Sequence, residues 1–195
     1  MITGLTIVKG GFIMAKKAYV FLTDGFEETE AVTTVDILRR ANIECIIVSL
    51  TGHKVVTGSH NINIEADILF DDNLKGDAFI LPGGPGYLNY FKHEALNNLI
   101  KEACSSGSLI AAICAAPNYL GSLLLLEGKK AVCFPGMEDG LKGAIIGNNI
   151  VEKDDNIITS KGPGTTPFFA IEIIDYLLGT EIAQNIKENF KLNLI

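Results

Sequence analysis

The run Leu109-Ile-Ala-Ala-Ile-Cys-Ala-Ala-Pro117 sets a cysteine where a short apolar strand gives way to the start of a helix. A thiol on such a turn stands exposed at the carboxyl edge of a sheet, with free backbone N–H groups of the next helix directed at it. Those groups stabilise a thiolate, so Cys114 is a candidate nucleophile in the geometry that hydrolases use for serine. Two further segments offer complementary chemistry. Leu81-Pro-Gly-Gly-Pro-Gly86 carries adjacent glycines, whose backbone can approach a ligand and turn its N–H groups inward as an oxyanion cradle. Asp24-Gly-Phe-Glu-Glu-Thr-Glu30 places acids at a helix start. Glu27 and Glu28 read there as complements to the helix dipole. Glu30 reads either as a third such complement or as a proton partner for Cys114. A carboxylate beside a thiolate raises both pKa values, so Glu30 and Cys114 are expected to share one proton near neutral pH and to titrate as a pair.

The elements that must position these groups alternate along the chain. Strands are expected at Ala18–Leu22, Ile43–Leu50, Ala78–Leu81, 109–113, Ala131–Phe134, Ile145–Glu152 and Ile157–Thr159. Lys54–Ile64 reads as a hairpin or paired edge strands. Helices are expected at Glu28–Ala41, over most of Leu88–Ser105, at Asn118–Leu126, at Thr166–Leu178 with Pro167 in its first turn, and at Thr180–Phe190 with Thr180 as N-cap. Such alternation implies a mostly parallel sheet with helices on both faces, an α/β fold. Functional groups in these folds gather at the carboxyl ends of the strands, where all three motifs fall.

Composition narrows the class. With 195 residues, 48% of them apolar and 20% charged, the chain is a globular one with room for a buried core. A net charge of −7, with no basic run longer than two residues, speaks against nucleic-acid binding. The four cysteines form no CxxC pattern, which suggests neither a zinc site nor a disulfide framework and fits a reducing cytoplasm. No metal is expected. The uncharged stretch 105–126 is long enough to span a bilayer, but it divides into strand, turn and helix and reads as buried core. Residues 1–13 read as an N-terminal extension without a signal-peptide pattern, and 14–195 as a single domain.

The segment GFEETEAVT, LPGG, AAICAAP and the later TSKGPGT, in that order over about residues 17–190, resemble the ThiJ/PfpI family. The chain looks closest to the Parkinsonism-associated deglycase branch and its bacterial YajL-like members. The resemblance implies a flavodoxin-like three-layer sandwich, a homodimer, a reactive Cys114 and a partner Glu30. It also implies an oxyanion pocket of Gly83, Gly84 and the Ala115 amide. Protease-like members carry a histidine directly after the cysteine, where this chain has Ala115, and no histidine follows His93. Protease and amidotransferase chemistry are therefore poor readings. Phe134, in Cys133-Phe134-Pro135, stands where some members carry a pocket histidine, leaving acid–base work to Glu30.

His60 falls in a segment used near the family's dimer interface, and reads as either a solvated loop residue or a contributor to a neighbouring pocket. His53 and His93 read as surface residues, and Cys45, Cys104 and Cys133 as packing. Gly162 and Pro163, in Lys161-Gly-Pro-Gly-Thr165, could bind an anion or shape the pocket or dimer contact. Two functions follow. One is a cofactor-independent glyoxalase or deglycase, acting on small dicarbonyls or glycated adducts through a hemithioacetal on Cys114. The other is an oxidative-stress sensor or redox-regulated chaperone that uses oxidation of Cys114 without turnover. An inert paralogue is a third possibility.

Overall fold

The computed structural model describes residues 5–8 and 11–194. The proposed extension 1–13 therefore lies partly outside the described residues. Leu5–Val8 and Gly11–Met14, which runs one residue past that boundary, pair as an antiparallel ribbon separate from the main sheet.

Seven strands build the central sheet: β1 (Lys17–Leu22), β2 (Glu44–Ser49), β3 (Ile68–Leu69), β4 (Ala78–Leu81), β5 (Leu109–Ile113), β6 (Val151–Asp154) and β7 (Ile157–Ser160). Their spatial order is β6-β7-β5-β4-β1-β2-β3, and only β6 runs antiparallel to its neighbour. The two-residue period of a strand divides the apolar residues between two cores. Val20, Leu22, Ile80, Ala111, Ile113 and Ile158 face one core. Tyr19, Phe21, Phe79, Leu81, Ile110 and Ile157 face the other. Because both faces are covered, β4 and β5 consist wholly of buried apolar residues.

Helices α1 (Glu28–Arg40), α4 (Thr166–Leu178) and α5 (Thr180–Asn189) cover the first face, while α2 (Glu94–Ser105) and α3 (Pro117–Ser122) cover the second. Helix α1 buries Ala31, Thr34, Val35 and Leu38 at helical spacing, and carries acids in its first turn and arginines in its last. The sandwich and the 55–65 hairpin, Val55–Thr57 against Asn63–Glu65, agree with expectation.

Several elements differ. Helix α3 ends at Ser122 instead of Leu126, where the chain turns through Leu124 at φ 61°. Of the expected 131–134 strand only Ala131 joins a ladder, in the two-residue strand Lys130–Ala131. Beyond it, Val132 N–H donates to Thr159 Oγ1 (3.0 Å) and Phe134 N–H to the Cys114 carbonyl (2.7 Å), so long-range bonds replace strand pairing. The expected 145–152 strand is split into Ile145–Ile146 and β6. The helical stretch 88–105 is a 3-10 segment, Pro85–Lys92, followed by α2. Gly179, not Thr180, is the N-cap of α5, and Thr180 Oγ1 donates to Asp175 Oδ1 at 2.6 Å. The edge strand β3 is only two residues long, too short to show a strand period in the sequence. Among the described residues no helix is long and apolar enough to cross a membrane.

Candidate active site

The three motifs meet because β5, β4 and β1 are adjacent and parallel, so their carboxyl ends lie side by side. Cys114 follows β5 directly, at φ 63°, a left-handed conformation that costs a non-glycine residue about 1 kcal/mol or more. Its backbone is held from both sides: its N–H donates to the Ser160 carbonyl (2.9 Å), and its carbonyl accepts from Phe134. The strand-to-helix turn matches the sequence expectation. The thiol's accessibility does not, since the residue is only 9% exposed. The following helix is also short, and the Ala116 N–H is already bonded to the Ile113 carbonyl.

Glu30 rises from the first turn of α1 and is fully buried. The Gly83 N–H donates to its Oε2 at 2.7 Å. Its Oε1 is buried without a partner of regular geometry, while carboxyl and thiol lie close enough to interact directly. Gly83 must lack a side chain: a Cβ would stand 2.7 Å from Cys114 Cβ and 3.0 Å from Glu30 Oε2. Gly84, at φ 84°, lets the 83–86 turn lie flat on the loop after β1, where Glu27 N–H donates to the Gly83 carbonyl (3.0 Å) and Gly86 N–H to the Gly25 carbonyl (2.8 Å). Tyr90, fully buried, donates from its hydroxyl to the Pro82 carbonyl (2.8 Å), with the Phe21 carbonyl at 3.1 Å, pinning the same turn from below.

The electrostatics follow from this packing. Burial pushes the Glu30 carboxyl up to about 7, with a smaller push from Glu27; the Gly83 N–H and the thiol act against it. Burial and then the Glu30 charge push the Cys114 thiol up to about 12, against the N–H groups of Gly84 and Ala115. Both shifts are upward, that of Glu30 through burial rather than through the thiol, which lowers it. Across the interval between them the pair holds a single proton.

Cys114, Glu30, Gly83, Gly84 and Ala115 are thus brought together. The Gly83 amide is occupied by Glu30, so the N–H groups directed at the sulfur are those of Gly84 and Ala115. Phe134 is 45% exposed and lies over Gly162, where a Cβ would come 3.3 Å from its ring, while Pro163 opens the turn into α4. Lys161 donates to the Asn148 carbonyl. His60 lies exposed on its loop, as one of its two readings has it, but its ring is held by Glu28; Glu28 is itself buried and is not the simple dipole complement expected. His93 caps α2, accepting the Leu96 N–H at Nδ1 (3.2 Å), and its ring meets Phe70 edge-on. Cys45, Cys104 and Cys133 are free thiols, two of them buried.

The profile of the DJ-1/PfpI family matches residues 16–176. Protein dj-1beta of Drosophila melanogaster is 37% identical over 178 residues, covering 89% of this chain and 95% of that protein. A Caenorhabditis elegans protein named glutathione-independent glyoxalase DJR-1.2 is 31% identical, covering 85% of this chain and 91% of that one. Among solved structures, oxidized Toxoplasma gondii DJ-1 superposes with a TM-score of 0.87 at 34% identity, covering 90% of this chain and 98% of its own. With the flavodoxin-like sandwich, the four motifs in order and these likenesses together, the chain belongs to the DJ-1/PfpI family.

Proposed function

We propose that the protein is a cofactor-independent glyoxalase or deglycase that converts methylglyoxal-type dicarbonyls, or their adducts, through a hemithioacetal on Cys114. The observation that carries this reading is the buried carboxyl–thiol pair with two backbone N–H groups aimed at its sulfur. A relative named as a glutathione-independent glyoxalase supports it.

In this reading the single proton of the pair moves to Glu30, and the thiolate adds to the aldehyde carbon. A C–S bond forms, and the carbonyl π electrons pass to oxygen, which the Gly84 and Ala115 amides hold and which takes the proton back from Glu30. Glu30, now ionised, removes the proton from the former aldehyde carbon to give an enediolate and returns it to the adjacent carbon, while the hydroxyl proton passes to the neighbouring oxygen. The product at that stage is a thioester of a 2-hydroxy acid. Water adds to it, the C–S bond breaks, and the acid leaves with the thiol restored. The sum is dicarbonyl plus water giving 2-hydroxy acid, with no change in the protein's redox state.

The test is lactate formation from methylglyoxal without glutathione, by wild type and Cys114→Ser side by side. Turnover confined to wild type is expected. No lactate from wild type, or equal rates in both, would contradict the reading.

The buried, unpartnered Oε1 of Glu30, on a carboxyl that reaches the Cys114 thiol, favours a second reading, in which Cys114 is oxidised to a sulfinate that a protonated Glu30 holds. Peroxide treatment followed by peptide mass analysis separates the two: a reading without turnover requires a stable sulfinate on Cys114 and no lactate.

The proposal includes a homodimer. An apolar groove of about 320 Å³, lined by Ala31, Val32, Val35, Ile47 and Ile64 among others, lies open beside α1, with Val55 and Ile62 each 53% exposed on the adjoining hairpin. Sedimentation should give twice the chain mass of 21.0 kDa. A concentration-independent monomer rules the dimer out.

A further inference from the structure

One carboxylate fastens the turn of the 55–65 hairpin to the start of α1. Glu28 is 6% exposed, and its Oε1 accepts the His60 N–H at 2.6 Å and the Ile62 N–H at 3.4 Å. Its Oε2 stands 2.9 Å from His60 Nδ1 and 3.2 Å from Ser59 Oγ. Gly58 admits this carboxylate, since a Cβ there would overlap it. Glu27 brings its own Oε2 to 3.7 Å from the same ring nitrogen. The turn is also laced along the loop after β1: Gly25 N–H donates to the Thr57 carbonyl (2.8 Å), Ser59 N–H to the Phe26 carbonyl (2.9 Å) and Thr57 N–H to Asp24 Oδ1 (3.0 Å). That loop holds the Gly83 carbonyl through Glu27 N–H and runs on into Glu30. A continuous set of backbone bonds therefore connects the His60 turn to the thiol pair.

We infer that His60 is a positioning residue for the Cys114–Glu30 pair: clamped by Glu28 and Glu27, it fastens the 58–62 turn onto the loop that carries Glu30 and sets a cation beside the acids of that loop. The inference rests on the reading of Cys114 and Glu30 given above and adds the regulation of that site.

The charges facing the ring are all acidic. They come from Glu28 in the first turn of α1 and Glu27 at its N-cap; Asp24, on the loop before, is bonded to the Thr57 N–H, between Val55 and Ile64 the hairpin has no charged side chain besides His60, and the 83–86 turn has none. The bond to Glu28, then the charges of Glu27 and Glu28, hold His60 protonated above the usual histidine range. While it keeps its proton, the negative charge of Glu27 that opposes ionisation of Glu30 is partly offset; once the proton leaves, that offset is gone. Ligand-type atoms of Glu27, Glu28 and His60 lie within 4.8 Å of one another. Glu28, however, is already taken up by two backbone N–H groups and the ring, so a proton is the cation this cluster is built around.

The experiment is the rate of carboxamidomethylation of the Cys114 peptide, read by mass spectrometry from about pH 5 to 9 on the full chain. Wild type, His60→Gln and His60→Arg are compared. His60→Gln is expected to move the midpoint upward by about 0.3–0.5 pH unit. His60→Arg, a cation at every pH used, is expected to bring it back to the wild-type value or below. The His60 side chain is 69% exposed, so neither change disturbs the core. A titrating wild type with an unmoved His60→Gln, or a shift that His60→Arg does not reverse, overturns the role of His60 alone. A wild-type profile flat across the range overturns the Cys114–Glu30 reading and the role of His60 with it. No substrate is present, so the result does not depend on turnover.

Discussion

Glu30 and Cys114 are each buried against their charged forms; the Glu30 charge adds to the rise of the thiol, while the thiol's hydrogen bond offsets part of the rise of Glu30. Glu30→Gln keeps the shape and an acceptor for the Gly83 N–H but removes the ionisable proton. The proposed route then predicts a fall in lactate formation of roughly 100-fold or more. The stability consequence has a definite sign. A carboxyl raised from 4.5 to about 7 contributes stability that is present below its unfolded value and lost as pH rises through about 7. Chemical denaturation should therefore find Glu30→Gln gaining on wild type between pH 5 and pH 8, by on the order of 2 kcal/mol. A constant difference across that range would refute the buried-acid assignment. Gly83→Ala would drive a methyl into Cys114 Cβ. Slower alkylation of Cys114 and a lower melting temperature are expected from it together.

At the scale of elements, the site depends on three strand ends in register and on two turns that lie against each other. Gly86→Ala tests the second dependence, because a Cβ there would overlap the Asp24 carbonyl. The variant should lose about 1–3 kcal/mol on thermal or denaturant unfolding, with the loop that carries Glu30 displaced. Much of this framework is legible in sequence. Strands 78–81 and 109–113 and helix 166–178 agree at both ends, because continuous apolar runs and a proline in the first helical turn mark them locally. Segment 131–134 was not legible: its pairing is decided by Thr159 and Cys114, which lie at least 20 residues away in sequence. The grip of Glu28 on His60 spans 32 residues and exists only once the hairpin folds back. The Gly83 amide could be read as a donor but not as one already committed to Glu30, since that depends on the height at which α1 enters.

At the scale of the molecule, two cores clamp one sheet, and the cost of disturbing them is global. Phe169→Ala, which empties a fully buried position of α4, should cost about 3–5 kcal/mol by denaturant titration. Acid acts through the surface of the same face. Burial would raise Glu28, but the His60 ring and the backbone N–H groups it accepts outweigh this and hold it down to about 2. Its contribution is present above about 4.5 and lost as pH falls toward 2, so the hairpin should release first in acid, read as faster exchange of the His60 and Ile62 amides. The central claim is a covalent route through Cys114, and acid quenching during methylglyoxal turnover, followed by peptide mass spectrometry, tests it most directly. The account predicts a three-carbon adduct on Cys114 that decays as lactate appears and is absent from Cys114→Ser. Lactate formed with no adduct on Cys114 at any time, or formed equally by Cys114→Ser, would contradict it.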